Sequence, residues 1–87
     1  MIDFQREADR IFYQDENGNL LAEVTFPEID GVATIDHTFV DASLRGQGIA
    51  SMLVEAAAAQ IRESGRPLRA TCSYAAKWLE THGTAEK

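Results

Sequence analysis

A chain of 87 residues is long enough for one small domain and too short for two, so we expect residues 1–87 to form a single domain. Fourteen acidic against eight basic side chains give a net charge of −6, which opposes binding to nucleic acid or to a membrane surface. No apolar run approaches the roughly 20 residues of a membrane span, and no signal-peptide pattern opens the chain, so we expect a cytoplasmic protein.

Residues 10–14 and 20–26 are predicted to pair as the first two strands. Asn17 and Gly18 lie between them, and an Asn-Gly pair favours a hairpin turn. In the second strand the apolar side chains alternate, and one face carries Leu20, Ala22, Val24 and Phe26. This period of two predicts that one face of the strand packs in the core.

A third strand is predicted over residues 32–40, after a turn at Asp30 and Gly31. The more apolar face of this strand carries Ala33, Ile35, His37 and Phe39. Asp36 falls on the opposite face. We therefore expect His37 to lie on the half-buried side of the sheet.

The strongest helical pattern follows. Apolar side chains recur at helical spacing from Ile49 to Ile61, Gly65 ends the helix, and Pro67 prevents it from resuming.

Residues 68–72 are then predicted to form a fourth strand, with Ser73 as the N-cap of a last helix. Antiparallel strands followed by a β-α-β-α half predict an α/β (α+β) fold. Its third and fourth strands can lie parallel across the helical crossover.

The loop between the third strand and the long helix has the composition of an anion site. It reads Arg45-Gly46-Gln47-Gly48-Ile49-Ala50. Glycine lets the backbone approach a ligand closely, and a helix start directs unpaired N–H groups and a positive dipole end at an anion. The alternative is that the glycines only form a tight turn and allow close helix packing.

Three segments together resemble the small single-domain branch of the GNAT N-acetyltransferase superfamily. They are residues 37–40, residues 41–50 and the run Cys72-Ser73-Tyr74-Ala75. The superfamily signature is Arg or Gln, two residues, Gly, one residue, then Gly or Ala, and Arg45, Gly48 and Ala50 match it.

The resemblance implies that acetyl-CoA lies where the third and fourth strands splay apart. The amides of residues 45–50 would hold the diphosphate, and Val40 would pair with the pantetheine. Arg62, Arg66 and Arg69 are candidates for the ribose phosphate, although arginines near a helix C-terminus also complement its dipole.

Cys72, His37 and Tyr74 are the candidate catalytic residues. The resemblance implies that Cys72 either accepts the acetyl group or lines the thioester pocket, and an unpaired cysteine can also be a small buried hydrophobe. His37 could take a proton from Cys72 or from the incoming amine, or could be a hydrogen-bonded structural residue. Tyr74 could protonate the leaving thiolate of CoA, or could pack on Trp78 one turn away.

Many superfamily members use a carboxylate base on the third strand, and here only Asp36 is present there. The base assignment therefore stays open. Larger members of the superfamily have helices after the first strand that help wall the acceptor site, whereas this chain goes straight into a hairpin. The resemblance therefore implies an acceptor site that is open or completed by a protein partner. The acidic surface favours a cationic amine, either a small molecule or a lysine side chain. The alternative function is a non-catalytic module that binds CoA or acyl-CoA, or another protein.

The few thiol and imidazole groups limit metal chemistry. Cys72 is the single cysteine, so an internal disulfide and a four-thiolate zinc site are impossible. His37 and His82 lie far apart in the sequence and have no ligand spacing such as a pair four residues apart on a helix. We expect no metal site, and we expect His82 to be a surface residue.

Overall fold

The computed structural model describes residues 3–81, and their strands form two sheets. The elements are β1 (Gln5–Glu7), β2 (Arg10–Gln14), β3 (Leu20–Thr25), β4 (Glu28–Ile29), β5 (Val32–Ile35), β6 (His37–Val40), a turn of 3₁₀ helix (Ala42–Leu44), α1 (Ile49–Glu63), β7 (Leu68–Ala70) and α2 (Ser73–Thr81). The mixed fold predicted from the sequence is confirmed. No helix within residues 3–81 has the length and apolar character that crossing a bilayer requires.

The first sheet has the strand order β1-β2-β3-β6, with every pair antiparallel. The predicted hairpin of β2 and β3 is confirmed. In its turn, the Asp15 carboxylate accepts hydrogen bonds from the amides of Asn17 and Asn19, each at 2.9 Å. Gly18 has a φ of 84°, a left-handed conformation that glycine adopts without strain.

The second sheet has the strand order β4-β5-β7. The turn predicted at Asp30 and Gly31 is confirmed, and both residues have a positive φ (53° and 81°), as a two-residue hairpin of type I′ requires. β5 and β7 lie parallel and are joined through α1, which confirms the predicted crossover. β1 and β4 were not expected, because both are short and exposed and carry no apolar alternation.

The predicted strand over residues 32–40 is interrupted at Asp36. Its first half pairs with β7, and its second half pairs with β3 in the other sheet. At the junction the Asp36 amide donates to the Thr25 carbonyl at 3.2 Å, and the Thr25 hydroxyl donates to the Asp36 carboxylate at 2.6 Å.

His37 does not lie on the core side of the sheet, contrary to the prediction. The register places Val24 opposite Thr38, so Thr38 faces the core, and it places Thr25 opposite His37 on the other side. The His37 side chain is 54% exposed. Burial of Ala33 and Ile35 does not extend to His37, because β5 and β6 belong to different sheets.

The core lies between α1 and the two sheets. From α1 it receives Ile49, Leu53, Val54, Ala57, Ala58 and Ile61, all at most 3% exposed. Phe26, which follows β3, is fully buried beside them. The helix ends as predicted, since Gly65 has a φ of 78° and its amide donates to the Arg62 carbonyl.

Candidate functional site

The loop that opens α1 is anchored at its start by Asp41. The Asp41 amide donates to the Leu21 carbonyl at 2.8 Å, which ties the end of β6 to β3. Its carboxylate accepts from the Ser43 hydroxyl at 2.7 Å and from the Ser43 amide at 3.0 Å. These two hydrogen bonds, with a smaller contribution from Arg45, lower the pKa of Asp41. The 3₁₀ helix that follows therefore starts from a fixed position.

The first turn of α1 presents its amides outward. Gly46 and Gly48 have φ values of 84° and 75°, and a Cβ added at either would meet no atom within 4 Å. Gly48 is the N-cap and makes no side-chain hydrogen bond to the helix, and the first turn contains no acidic residue. Amides at this position have no acceptor within the helix, so they can receive an anion.

Arg45 adds a positive charge beside the glycines. The amide donates to the Ala42 carbonyl at 3.2 Å, so it is already used inside the protein. Arg45 is exposed and borders the same space as the glycine loop. The predicted set of loop amides is therefore reduced by one, and the positive charge is retained.

A cavity of about 340 Å³ lies against this loop. It is lined by Val40, Leu44, Arg45, Gly46, Gly48, Ile49, Ala50, Ser51 and Tyr74. A volume of this size is within the range of small-molecule sites. Six of the seven residues predicted to bind the cofactor are in this lining; the seventh, Gln47, is exposed.

Leu44 and Ser51 line the cavity and were not singled out from the sequence. Ser51 could have been found, since it continues the first turn of α1 directly after Ala50. Leu44 could not, because its place depends on the short 3₁₀ helix, which left no periodic signal.

Tyr74 and Trp78 bring α2 to this cavity. Tyr74 is 43% exposed and lines the cavity from the first turn of α2. One turn later, the Trp78 indole Nε1 donates to Ser51 Oγ at 2.8 Å. Positions four residues apart lie on the same side of a helix, so both aromatic side chains face the start of α1.

Cys72 was predicted to end the fourth strand, but it lies beyond that strand because β7 ends at Ala70. The amides of Thr71 and Cys72 both donate to the Ile35 carbonyl, at 3.0 and 3.1 Å, and the chain then turns into α2. Up to Ile35 the predicted third strand pairs with β7 as β5, and beyond it the chain pairs with β3 as β6. The predicted third and fourth strands therefore separate at this point, as expected.

Cys72 also takes the N-cap position predicted for Ser73. Its carbonyl accepts from the Ala76 amide at 2.9 Å, the bond that opens α2. The backbone amides of Ala75 and Tyr74, which an N-cap side chain faces, lower the pKa of the thiol. Ser73 is the first residue within the helix.

The surroundings of the Cys72 thiol favour its charged form. Partial burial raises the pKa of Cys72, but the Ala75 amide, the hydrogen bond shared with the Thr38 hydroxyl and the amides of Tyr74 and Thr38 outweigh it and lower the pKa. The sulfur lies 3.6 Å from Thr38 Oγ1. Thr38 is thus a contact of the thiol that sequence reasoning missed.

His37 and Cys72 are not brought together. Thr38, which contacts the thiol, and His37 are neighbours on β6, so their side chains point to opposite faces of the sheet. The His37 Nε2 lies 3.7 Å from Glu23 Oε1. Glu23 in turn accepts from Arg10 Nε at 2.5 Å, and the Arg10 guanidinium lies 3.9 Å from the centre of the Phe12 ring.

The arginines suggested for the ribose phosphate lie away from the loop. Arg62 is in the last turn of α1, and thirteen residues of helix separate it from Ile49 by roughly 20 Å. Arg66 follows that helix and donates from Nε to Ser64 Oγ at 2.7 Å. Arg69 is exposed on β7. His82 is outside the described residues.

Groups of three or more His, Cys, Asp or Glu side chains that could hold a metal ion do not occur in the described part of the chain.

Comparisons with known proteins agree on one family. A sequence model described as GCN5-related N-acetyl-transferase matches residues 10–87. The solution structure of a GCN5-like protein from Staphylococcus aureus has a TM-score of 0.75 and 32% identity, and the match covers 93% of this chain and 80% of that one.

A more distant structure shares the fold. The ribosomal-protein-alanine N-acetyltransferase from Brucella melitensis biovar Abortus 2308 has a TM-score of 0.59 and 24% identity, with 90% of this chain and 66% of that chain covered. No protein of curated function matches the chain significantly.

Proposed function

The chain belongs to the GCN5-related N-acetyltransferase family, and on that premise we propose that it binds acetyl-CoA and transfers the acetyl group to an amine. Family and fold support acetyl transfer in general. We take residues 1–87 as one acetyltransferase domain. When bound, acetyl-CoA would supply the acetyl group as an activated thioester.

The observation that carries the proposal is the cavity at the start of α1. Its amides and the positive charge of Arg45 fit a diphosphate because both attract negative charge, and its left-handed glycines let a ligand approach the backbone closely. The apolar side chains of Val40, Leu44 and Ile49 fit a less polar part of the same ligand. We assign the pantetheine arm to the Val40 side of the cavity.

The two left-handed glycines at the ends of α1 offer a matched test of this site. Gly48 and Gly65 have φ values of 75° and 78°, and neither position has an atom within 4 Å of an added Cβ. Asparagine tolerates this conformation, so Gly48→Asn and Gly65→Asn should cost similar amounts of stability. By calorimetric titration, Gly48→Asn should weaken CoA binding about tenfold or more because its side chain fills the diphosphate space.

Gly65→Asn is the control and should bind CoA as the wild type does, because it lies at the other end of the helix. Undiminished affinity in Gly48→Asn, or equal losses in the two variants, would contradict the proposed site.

The acetyl group could reach the amine by two routes, direct attack on the thioester or transfer through Cys72. The hydrogen bonds that lower the pKa of Cys72 support the second route, since the thiolate is the nucleophilic form. Tyr74 lies beside the cavity, where its hydroxyl can donate a proton to a departing thiolate. His37 has no contact with the thiol, so its role as a base for the amine remains a prediction.

Replacing Cys72 with Ala separates the two routes. If acetyl passes through the sulfur, product formation should fall at least about a hundredfold while CoA affinity stays within about threefold. Mass spectrometry of the wild type mixed with acetyl-CoA alone should then show a single acetyl group on Cys72. Activity retained within a few-fold in Cys72→Ala would leave direct attack as the route.

The acceptor is proposed to be a cationic amine, either a small molecule or a lysine side chain. The net charge of −6 raises the local concentration of cations. In the described range, α1 packs against β2, β3 and β6 of the first sheet, and α2 packs against α1 and β7. The face that carries Glu23 and His37 lies on the other side of the first sheet from α1. We propose that this open side is reached directly by the acceptor or is completed by a partner protein.

The second candidate is a module that binds CoA without turnover. The position of His37 favours it, because the histidine predicted as base lies on the other face of the sheet from Cys72. Tight CoA binding, with no loss of thioester across a broad amine panel, would support this function over the enzyme.

A further inference from the structure

Trp78 is the one tryptophan of the chain, and its hydrogen bond joins the two helices that border the cavity. The indole N–H can only donate, so Ser51 Oγ is the acceptor of this 2.8 Å bond. A serine hydroxyl has one hydrogen to donate in addition to its lone pairs. When the indole occupies a lone pair, the Ser51 hydrogen remains for another acceptor.

Ser51 lines the cavity and stands in the first turn of α1, where the helix dipole favours an anion. We propose that Trp78 is a positioning residue for the cofactor: through Ser51 it fixes α2 against the start of α1 and directs the Ser51 hydroxyl to the anion in the cavity. This inference rests on the proposed function. It adds the Ser51 hydroxyl to the loop amides as a hydrogen-bond donor, and α2 orients that hydroxyl through Trp78.

The same contact sets the position of Tyr74. Tyr74 precedes Trp78 by one helical turn on the same side of α2, and it lines the cavity opposite the loop. The Trp78 side chain is partly buried against the core, which holds the helix at a fixed rotation. Loss of the indole N–H would therefore loosen both the Ser51 donor and the wall that Tyr74 provides.

The test is a double-mutant cycle on CoA affinity, measured by calorimetry with Trp78→Phe, Ser51→Ala and the double variant. Phenylalanine keeps an aromatic ring against the core and removes the N–H donor together with part of the indole's volume. We expect Trp78→Phe to weaken CoA binding about fivefold and Ser51→Ala about tenfold, with the double variant no weaker than Ser51→Ala alone. Ser51→Thr keeps the hydroxyl, so its CoA affinity should stay within about twofold of the wild type.

Urea unfolding of each variant separates positioning from folding, because a purely structural role would lower the unfolding midpoint without this coupling. Wild-type affinity in Trp78→Phe, or losses that simply add in the double variant, would overturn the positioning role while leaving the CoA site intact. Failure of the wild type to bind CoA would overturn both proposals.

If Trp78→Phe does not fold, the fluorescence of Trp78 in the wild type and in Ser51→Ala tests the positioning role instead. CoA should change its emission in the wild type, and Ser51→Ala should shift the emission of the unliganded protein, since the indole loses its acceptor. An emission that responds to neither change would overturn the inference.

Discussion

At the scale of single residues, the thiol site illustrates what the sequence can and cannot provide. Cys72 could be selected from the resemblance of its neighbourhood to a known family. The N-cap position of Cys72 could not be predicted, because cysteine is not among the usual capping residues, whereas the neighbouring Ser73 is one of them. Thr38 was missed for a different reason: it contacts Cys72 only because β6 and the start of α2 meet in the fold.

The contact between Thr38 and Cys72 predicts a pH effect. Thr38→Val removes a hydrogen bond that favours the thiolate, so the pKa of Cys72 should rise. The rate of alkylation by iodoacetamide should therefore fall several-fold at neutral pH, and its midpoint should move to higher pH.

Thr38→Ser is the matched control, because it keeps the hydroxyl and should retain the wild-type pH profile. An unchanged profile in Thr38→Val would show that the helix amides alone hold the thiolate.

At the scale of elements, α1 and the β2–β3 hairpin were predictable because each carries a local signal: helical spacing ended by glycine, and an Asn-Gly turn between alternating strands. The strand over residues 32–40 was not, since its division at Asp36 depends on two different partners, β7 and β3. The face of His37 follows from that pairing. Periodicity alone assigned the wrong side.

α1 both holds the core and presents the loop, so its packing can be tested apart from ligand binding. Leu53 is fully buried, and truncation to Ala should lower the free energy of unfolding by about 2–5 kcal/mol. Its neighbour Met52 is 42% exposed, and Met52→Ala should change stability by only about 0.5 kcal/mol. Urea unfolding followed by circular dichroism measures both, and equal effects would contradict the assigned orientation of α1.

At the scale of the whole molecule, α1 covers one side of the first sheet, and the candidate site lies where the two sheets separate. The cavity is built from the end of β6, the loop and the start of α1, which are consecutive in sequence, and from the start of α2, which is distant from them. Family resemblance could bring the loop and Cys72 together, but only the fold shows that Ser51, Tyr74 and Trp78 meet there. The net charge of −6 supports cationic acceptors without identifying one.

The most direct test of the central claim is a titration of the ¹⁵N-labelled protein with CoA, followed by amide and indole NMR signals. The signals of Gly46, Gly48 and Ala50 and the Trp78 indole should shift most, because they border or support the cavity. Gly18 in the distant hairpin turn should stay unchanged. No shift at saturating CoA, or the largest shifts on the face that carries Glu23 and His37, would contradict the site.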